Sequence, residues 1–153
     1  MCRIFLQLLK WPKTISELLQ KTPKMPKQVK WTEVGPGKGY AILSPAYVAC
    51  SSKDIVFTSG CVGTDPKTGE LPENLESQIT NALENLKNVL SASGSSMDNV
   101  LKVLLFVGDG SYSKVVNEVY QEYFPSAPAR SCIVVSFPDP ALKVELECIA
   151  QTL

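Results

Sequence analysis

The sequence predicts an α+β protein in which two helices cover one face of a sheet of about six strands. Short apolar or β-branched runs alternate with two amphipathic helices in the order β-β-β-α-β-α-β-β. Two helices are too few to cover both faces of so wide a sheet, so a two-layer sandwich is expected. Apolar residues also stand at both alternating positions of several strands, which predicts that a second copy covers the other face.

The strands of the first half are predicted from alternating and β-branched runs. Val29 and Trp31 alternate with lysine and threonine, which is typical of a half-buried strand. Pro66 and Gly69 fix a turn, since proline presets one backbone angle and glycine permits the unusual ones. The predicted strands span residues 28–34, 40–43 with 46–50, and 55–59, and the turn spans 64–69.

The two helices and the later strands have clearer patterns. Leucine and isoleucine recur every three or four residues over 72–93, and Gly94 follows as a C-terminal cap. The run 100–107 is almost entirely apolar and too short for a buried helix, so it is predicted as a central strand. The remaining predicted elements are a helix over 113–124, stopped by Pro125, and strands over 131–137 and 143–150.

The composition indicates one ordinary globular domain with an unusual N-terminus. The chain has 153 residues, 44% hydrophobic and 20% charged, and equal numbers of basic and acidic side chains. The charges are unevenly placed, because residues 1–30 hold seven basic groups against Glu17 alone. We therefore divide the chain into a basic extension, residues 1–27, and a domain, residues 28–153.

The extension carries an apolar helical stripe interrupted by Pro12. A basic amphipathic N-terminus resembles a mitochondrial presequence, although this one uses lysine rather than arginine. It is alternatively an inert extension, a misassigned start before Met25, or a helix that binds a surface. The expected location is cytoplasmic or mitochondrial, since five widely spaced cysteines without a CxxC motif suggest free thiols in a reducing compartment.

Several kinds of site are excluded by residue type. The chain has no histidine, which rules out Ser-His-Asp and Cys-His catalytic units and leaves no zinc set, so no metal is expected. No apolar run is long enough to span a membrane. The balanced net charge makes nucleic acid an improbable partner. Cys132 and Cys148 lie in apolar strand-like runs, where small buried thiols are the default expectation.

Chemistry at the end of the chain centres on one arginine and two glutamates. Arg130, one of only two arginines, precedes an apolar strand, and its planar guanidinium suits a carboxylate. Glu145 and Glu147 alternate with apolar residues, so both project from one strand face. From spacing alone, a solvated strand face beside a surface arginine is the favoured explanation of these residues.

The sequence around these residues resembles a known family. The segments PARSCIVV and VELECIA, with a glutamate fifteen residues after the arginine, are similar to the signature of the Rid family, the reactive intermediate deaminases of YjgF type. The stretches VFTSG, TDPKTGELPENLESQITNALENLKNVL, DNVLKVLLFV and VVNEVYQEYF resemble successive strands and helices of that family. The resemblance covers about residues 28–151.

The resemblance implies a fold, an activity and a set of site residues. It implies a homotrimer of chorismate-mutase-like α+β subunits with a cleft at each interface. It implies hydrolysis, without a cofactor, of enamines and imines such as 2-aminoacrylate, which pyridoxal-phosphate dehydratases release, to 2-keto acids and ammonia. The carboxylate-binding arginine falls on Arg130 and the water-activating glutamate on Glu145. Substrate-binding positions fall on Tyr47, Ser59, Gly60, Asn117 and Cys132.

The implied roles agree with the chemistry of such a substrate. Arg130 would hold the carboxylate, and Glu145 would position water and move protons to nitrogen in place of a histidine. Cys132 has no base to activate it and is better explained as part of the pocket wall. If the last two strands form a hairpin, Arg130 and Glu145 stand about 13 Å apart along it, so the arginine folds back or the site combines two chains.

The chain also departs from the family pattern. Cys61 stands where the family usually has glutamine, and the segment after Tyr47 is one residue short. These departures affect the role of Tyr47 and the choice of substrate. Two other functions remain open at this point: a non-catalytic trimer that binds a carboxylate ligand, and, less favoured, an endoribonuclease or translation inhibitor.

Overall fold

The computed structural model describes residues 27–35, 45–49 and 54–153, which form a seven-stranded sheet and two long helices. The elements are β1 (Lys27–Val29), α1 (Trp31–Val34), β2 (Ala46–Ala49), β3 (Ile55–Thr58), β4 (Cys61–Val62), α2 (Leu75–Ala92), β5 (Val100–Val107), α3 (Ser113–Tyr123), β6 (Ala129–Val134) and β7 (Val144–Gln151). The predicted α+β class, with two main helices, is confirmed. The predicted strand at 40–43 and most of the N-terminal extension lie outside the described residues.

The sheet has the order β1-β2-β3-β7-β5-β6, and β4 also pairs with β7. Along β5 and β7 the side chains alternate between buried and partly exposed, so one face of the sheet packs against α2 and α3. The core contains the apolar stripes of both helices, as their spacing predicts. Its fully buried members include Ile79, Leu83, Leu86, Leu90, Val103, Leu105, Val116 and Leu146.

One local prediction is wrong at the N-terminus of the domain, and one short strand further along was not predicted. The strand predicted over 28–34 ends at Val29 and is followed by the single-turn helix α1. The Glu33 carboxylate accepts a hydrogen bond from the backbone N–H of Lys30 at 2.6 Å, which favours a helical turn over an extended chain. The short strand β4, which the sequence did not predict, adds a seventh strand to the sheet.

The hairpin considered above for the last two strands does not form. β6 pairs parallel with β5 at the edge of the sheet, whereas β7 lies in the middle, antiparallel to β3, β4 and β5. Parallel pairing is the usual result when a helix, here α3, connects two strands of one sheet. β6 also begins at Ala129, so Arg130 lies within the strand rather than before it.

The strands β3 and β4 lie end to end along β7 with a break between them. Phe57 pairs with Ile149 and Cys61 pairs with Leu146, so the register shifts by one residue in between. Ser59 and Gly60 occupy this break. An extra residue in one strand re-aims the neighbouring side chains, and such irregularities are common beside active sites.

The sheet face opposite α2 and α3, called here the uncovered face, combines apolar and charged side chains. Tyr47, Phe57 and Ile133 are each 44–48% exposed there, which is unusual for large apolar groups. By register, the face also carries Lys102, Leu104, Phe106, Glu145, Glu147 and Ile149.

No helix in the described ranges is long and apolar enough to cross a membrane.

Candidate active site

Arg130 projects from the edge strand β6 toward helix α3. Its Nη2 donates a hydrogen bond to Oδ1 of Asn117 at 2.7 Å. Its Cζ atom lies 4.5 Å from the ring centroid of Tyr120, a cation–π geometry. The structure thus brings together two of the predicted site residues, and it adds Tyr120, which was not among them.

Cys132 lies on the same side of β6 as Arg130, two residues further along the strand. Its thiol is exposed, which corrects the expectation of a buried thiol, because β6 is an edge strand in the described chain. Cys148 is buried as predicted, and burial chiefly raises its pKa to about 12. Burial likewise raises the pKa of the Cys61 thiol, so neither buried cysteine supplies a thiolate near neutral pH.

Glu145 projects from the opposite, uncovered face of the central strand β7. Its carboxylate lies directly against the backbone of Gly60. A methyl group added at Gly60 would overlap Oε1 of Glu145 and come within 2.7 Å of its Cδ. Glycine at this position is therefore what lets the carboxylate lie over the break between β3 and β4.

The environment of Glu145 favours a proton-transfer role. Partial burial raises the pKa of its carboxyl above the usual value, and the negative charge of Glu147 raises it further. In its ionised form, a carboxylate with a raised pKa is a stronger base than one with the usual pKa. This is the property needed in a site without histidine.

Ser59 and Tyr47 relate differently to this group. Ser59 precedes Gly60, and its backbone N–H donates to the carbonyl of Pro45 at 2.8 Å, which fixes the break against β2. Tyr47 lies on the uncovered face opposite Phe57. By register it is two strands and four residues from Glu145, roughly 16 Å between Cα atoms, so the described chain does not bring the two together.

The two halves of the predicted site are separated within one chain. Arg130 pairs with Val103 and faces the helix layer, whereas Glu145 pairs with Phe106 and faces away from it. Two strand spacings and three residues separate their Cα atoms by roughly 14 Å. We call the first group, Arg130 with Asn117, Tyr120 and Cys132, the arginine half-site. The second group, Glu145 with Gly60 and Ser59, is the glutamate half-site.

Within the described ranges, no three cysteine, aspartate or glutamate side chains are grouped as metal ligands. The groups available for chemistry in the two half-sites are one guanidinium, one carboxylate with a raised pKa, and an exposed thiol. This set can bind a small anion and move a proton.

Comparison with known proteins gives consistent matches. A profile of the family described as Endoribonuclease L-PSP matches residues 42–152. Reactive Intermediate Deaminase A, chloroplastic, from Arabidopsis thaliana is 38% identical over 124 residues, which are 80% of this chain and 66% of that protein. The 2-iminobutanoate/2-iminopropanoate deaminase of Salmonella typhimurium is 33% identical over 114 residues, 72% of this chain and 89% of that protein.

A solved structure with the same fold was obtained with an amino acid bound. The crystal structure of Escherichia coli TdcF with bound serine superposes with a TM-score of 0.71 at 30% sequence identity. The match covers 83% of this chain and all of that chain.

Proposed function

Because this chain belongs to the Rid (YjgF-type) family of reactive intermediate deaminases, we propose that it hydrolyses reactive enamines and imines to 2-keto acids and ammonia. The substrates are small 2-imino acids such as those derived from 2-aminoacrylate, and a 2-iminobutanoate/2-iminopropanoate deaminase activity is the specific assignment. The observation that carries the proposal is the partly buried Glu145 carboxylate, with its raised pKa, held against Gly60.

The reaction divides between the two half-sites. Arg130 binds the substrate carboxylate with paired N–H donors and fixes the position of the C=N carbon. An enamine first moves a proton from its nitrogen to its terminal carbon and becomes the imine. Glu145 takes a proton from water as the water oxygen adds to the C=N carbon, and it passes that proton to the nitrogen, which gives a carbinolamine. Glu145 then moves the hydroxyl proton of the carbinolamine to the nitrogen, the C–N bond breaks, and the keto acid and ammonia leave.

We propose that the complete site forms between two subunits of a homotrimer. The half-sites face opposite sides of the sheet in one chain, and a small imino acid cannot bridge roughly 14 Å through the sheet. The exposed apolar groups of the uncovered face provide a surface for a second copy. The arginine half-site of one subunit then faces the glutamate half-site of its neighbour. Tyr47 remains a predicted substrate contact in this assembly.

A coupled assay tests the activity. A pyridoxal-phosphate serine/threonine dehydratase generates the imine, and the appearance of keto acid is timed with and without this protein. The uncatalysed hydrolysis is subtracted. Faster keto-acid and ammonia release is expected. Binding of pyruvate without any acceleration would favour a non-catalytic carboxylate-binding trimer instead.

An endoribonuclease activity, which the name of the family profile suggests, receives no support from this chain. Residues 31–153 hold eight basic and fourteen acidic side chains, and the chain has no histidine. An acidic domain repels the phosphate backbone that dominates RNA affinity.

The supply of substrate by a pyridoxal-phosphate dehydratase, and a cytoplasmic or mitochondrial location, are part of the proposal. A fluorescent reporter fused to residues 1–30 tests the location.

Gly60→Ala is expected to fold but to lose activity. The added methyl group displaces only the flexible end of Glu145, so the free energy of unfolding changes little. Displacing the catalytic carboxylate by about 1 Å can cost on the order of 100-fold in rate. Turnover and thermal unfolding are measured together, with Gly35→Ala as a control, since nothing lies near a methyl group there. Full activity of Gly60→Ala would contradict the role of Glu145.

Glu147→Gln is expected to shift the pH profile. Since the carboxylate form of Glu145 is the base, kcat/KM should fall as the pH drops through its pKa. Removing the Glu147 charge lowers the pKa of Glu145, so the acid limb of the profile moves to lower pH. The pKa stays above the usual value of a glutamate, because partial burial still raises it. Glu118→Gln, which removes an exposed carboxylate on α3, is the control and should leave the limb in place. An unmoved limb in Glu147→Gln would argue against Glu145 as the base.

A further inference from the structure

Tyr120 is the residue next to Arg130 that neither the spacing nor the family resemblance assigned to the site. The guanidinium lies over its ring, 4.5 Å from Cζ to the centroid. The Tyr120 side chain is itself held in place, since it is 6% exposed and its ring lies 4.5 Å from that of Phe124. The ring is therefore a fixed surface against which the Arg130 guanidinium packs.

The two contacts restrict the guanidinium in different ways. Oδ1 of Asn117 accepts a hydrogen bond from Nη2 of the guanidinium, and this bond fixes the rotation of the guanidinium in its own plane. The Tyr120 ring covers one face and fixes the tilt of that plane. The guanidinium has five N–H donors, so an edge remains for a carboxylate. An arginine side chain otherwise loses considerable rotamer entropy when it binds a ligand.

The tyrosine hydroxyl is not what holds Arg130 in this arrangement. Among the described residues that hydroxyl has no hydrogen-bond partner, and it is buried. Burial raises the pKa of Tyr120 to about 12, so the ring stays neutral at working pH. The contribution to Arg130 therefore comes from the aromatic face.

We propose that Tyr120 is a positioning residue, whose ring face orients the Arg130 guanidinium toward the substrate carboxylate. This inference rests on the proposed function, because it assumes that Arg130 binds a carboxylate. Removing the ring should weaken binding by the value of a partly desolvated cation–π contact, about 3- to 30-fold. The loss should fall on KM and on pyruvate affinity, with kcat little changed, since Glu145 and the water are not touched.

The paucity of arginine makes a direct spectroscopic test practical. The full chain contains only Arg3 and Arg130, so its nitrogen NMR spectrum has two arginine Nε–H signals, and Arg3→Lys assigns them. A guanidinium over an aromatic face gives an upfield-shifted Nε–H signal. The Arg130 signal should be shifted in the wild type and in Tyr120→Phe, and the shift should disappear in Tyr120→Leu. Leu83→Ala, a core truncation on α2, is the control for loss of stability and should keep it.

Pyruvate titrations of the same samples complete the test. We expect Tyr120→Phe to bind pyruvate as the wild type does, and Tyr120→Leu to bind about 3- to 30-fold more weakly. An unshifted Arg130 signal in the wild type, or an affinity loss in Tyr120→Leu no greater than in Leu83→Ala, would overturn the proposal. A shifted signal and tight pyruvate binding in a protein without deaminase activity would overturn the proposed function and leave the role of Tyr120 standing.

Discussion

Arg130→Ala is expected to abolish deamination while the proposed trimer stays folded. Arg130 lies on an edge strand and is not part of the buried core, so truncating it removes little packing. Losing a charge-assisted pair between an arginine and a carboxylate inside a cleft costs about 2–5 kcal/mol. The value of kcat/KM should therefore fall by a factor of tens to thousands. Turnover in the dehydratase-coupled assay and light scattering measure the two properties. Lys114→Ala, which removes an exposed cation from α3, is the matched control.

Arg130→Lys separates charge from geometry in the same position. An ammonium group retains the positive charge but cannot offer the planar pair of donors, stack as well on Tyr120, or keep the hydrogen bond to Asn117 in the same geometry. We therefore expect poor rescue, dominated by a raised KM. Full activity in Arg130→Lys would show that the site needs only a positive charge.

Glu145→Gln is expected to lower kcat strongly with little loss of carboxylate binding. The amide keeps the size of the side chain over Gly60 but cannot take a proton from water. General acid–base catalysis typically contributes about 100- to 10,000-fold, so the fall in kcat should lie in that range. Steady-state kinetics and pyruvate titration give the two quantities separately.

Cys132→Ser distinguishes this water mechanism from covalent catalysis. The Cys132 thiol is exposed and lies beside Arg130 on β6, so it is the one described cysteine placed to attack a substrate. If it only forms part of the pocket wall, Cys132→Ser stays active. An inactive Cys132→Ser that is folded and trimeric would indicate a covalent intermediate and contradict the role given to Glu145.

Local sequence patterns predicted the individual elements well. The strand β5 has the bounds that its apolar run predicts, and helix α2 buries the predicted leucine stripe. The alternation in β7 correctly placed Glu145 and Glu147 on one face. These properties depend on residues close in sequence, where a period of 2 or 3.6 determines which side chains share a face.

The pairing of strands could not be predicted in the same way. Alternation shows which face a residue is on, but it does not identify the neighbouring strand, so a hairpin of β6 and β7 was only one possibility. In the structure β6 pairs with β5 instead, and Arg130 and Glu145 lie on opposite faces of the sheet rather than along one ladder. The contact of Gly60 with Glu145 and the stacking of Tyr120 on Arg130 also join residues distant in sequence, so no local pattern indicated them.

Subunit mixing tests the central claim, that each site takes Arg130 from one subunit and Glu145 from another. Arg130→Ala and Glu145→Gln trimers are dissociated, mixed in equal amounts and reassembled, with native mass spectrometry to confirm mixed trimers. Each parent alone is inactive. In a random mixture, the subunit that supplies Arg130 is native at that position in about half of the interfaces, and its neighbour is native at Glu145 in about half of those. About one quarter of the interfaces therefore have both native residues, and the mixture should recover about a quarter of wild-type activity. Mixed trimers no more active than the two parents would contradict the shared site.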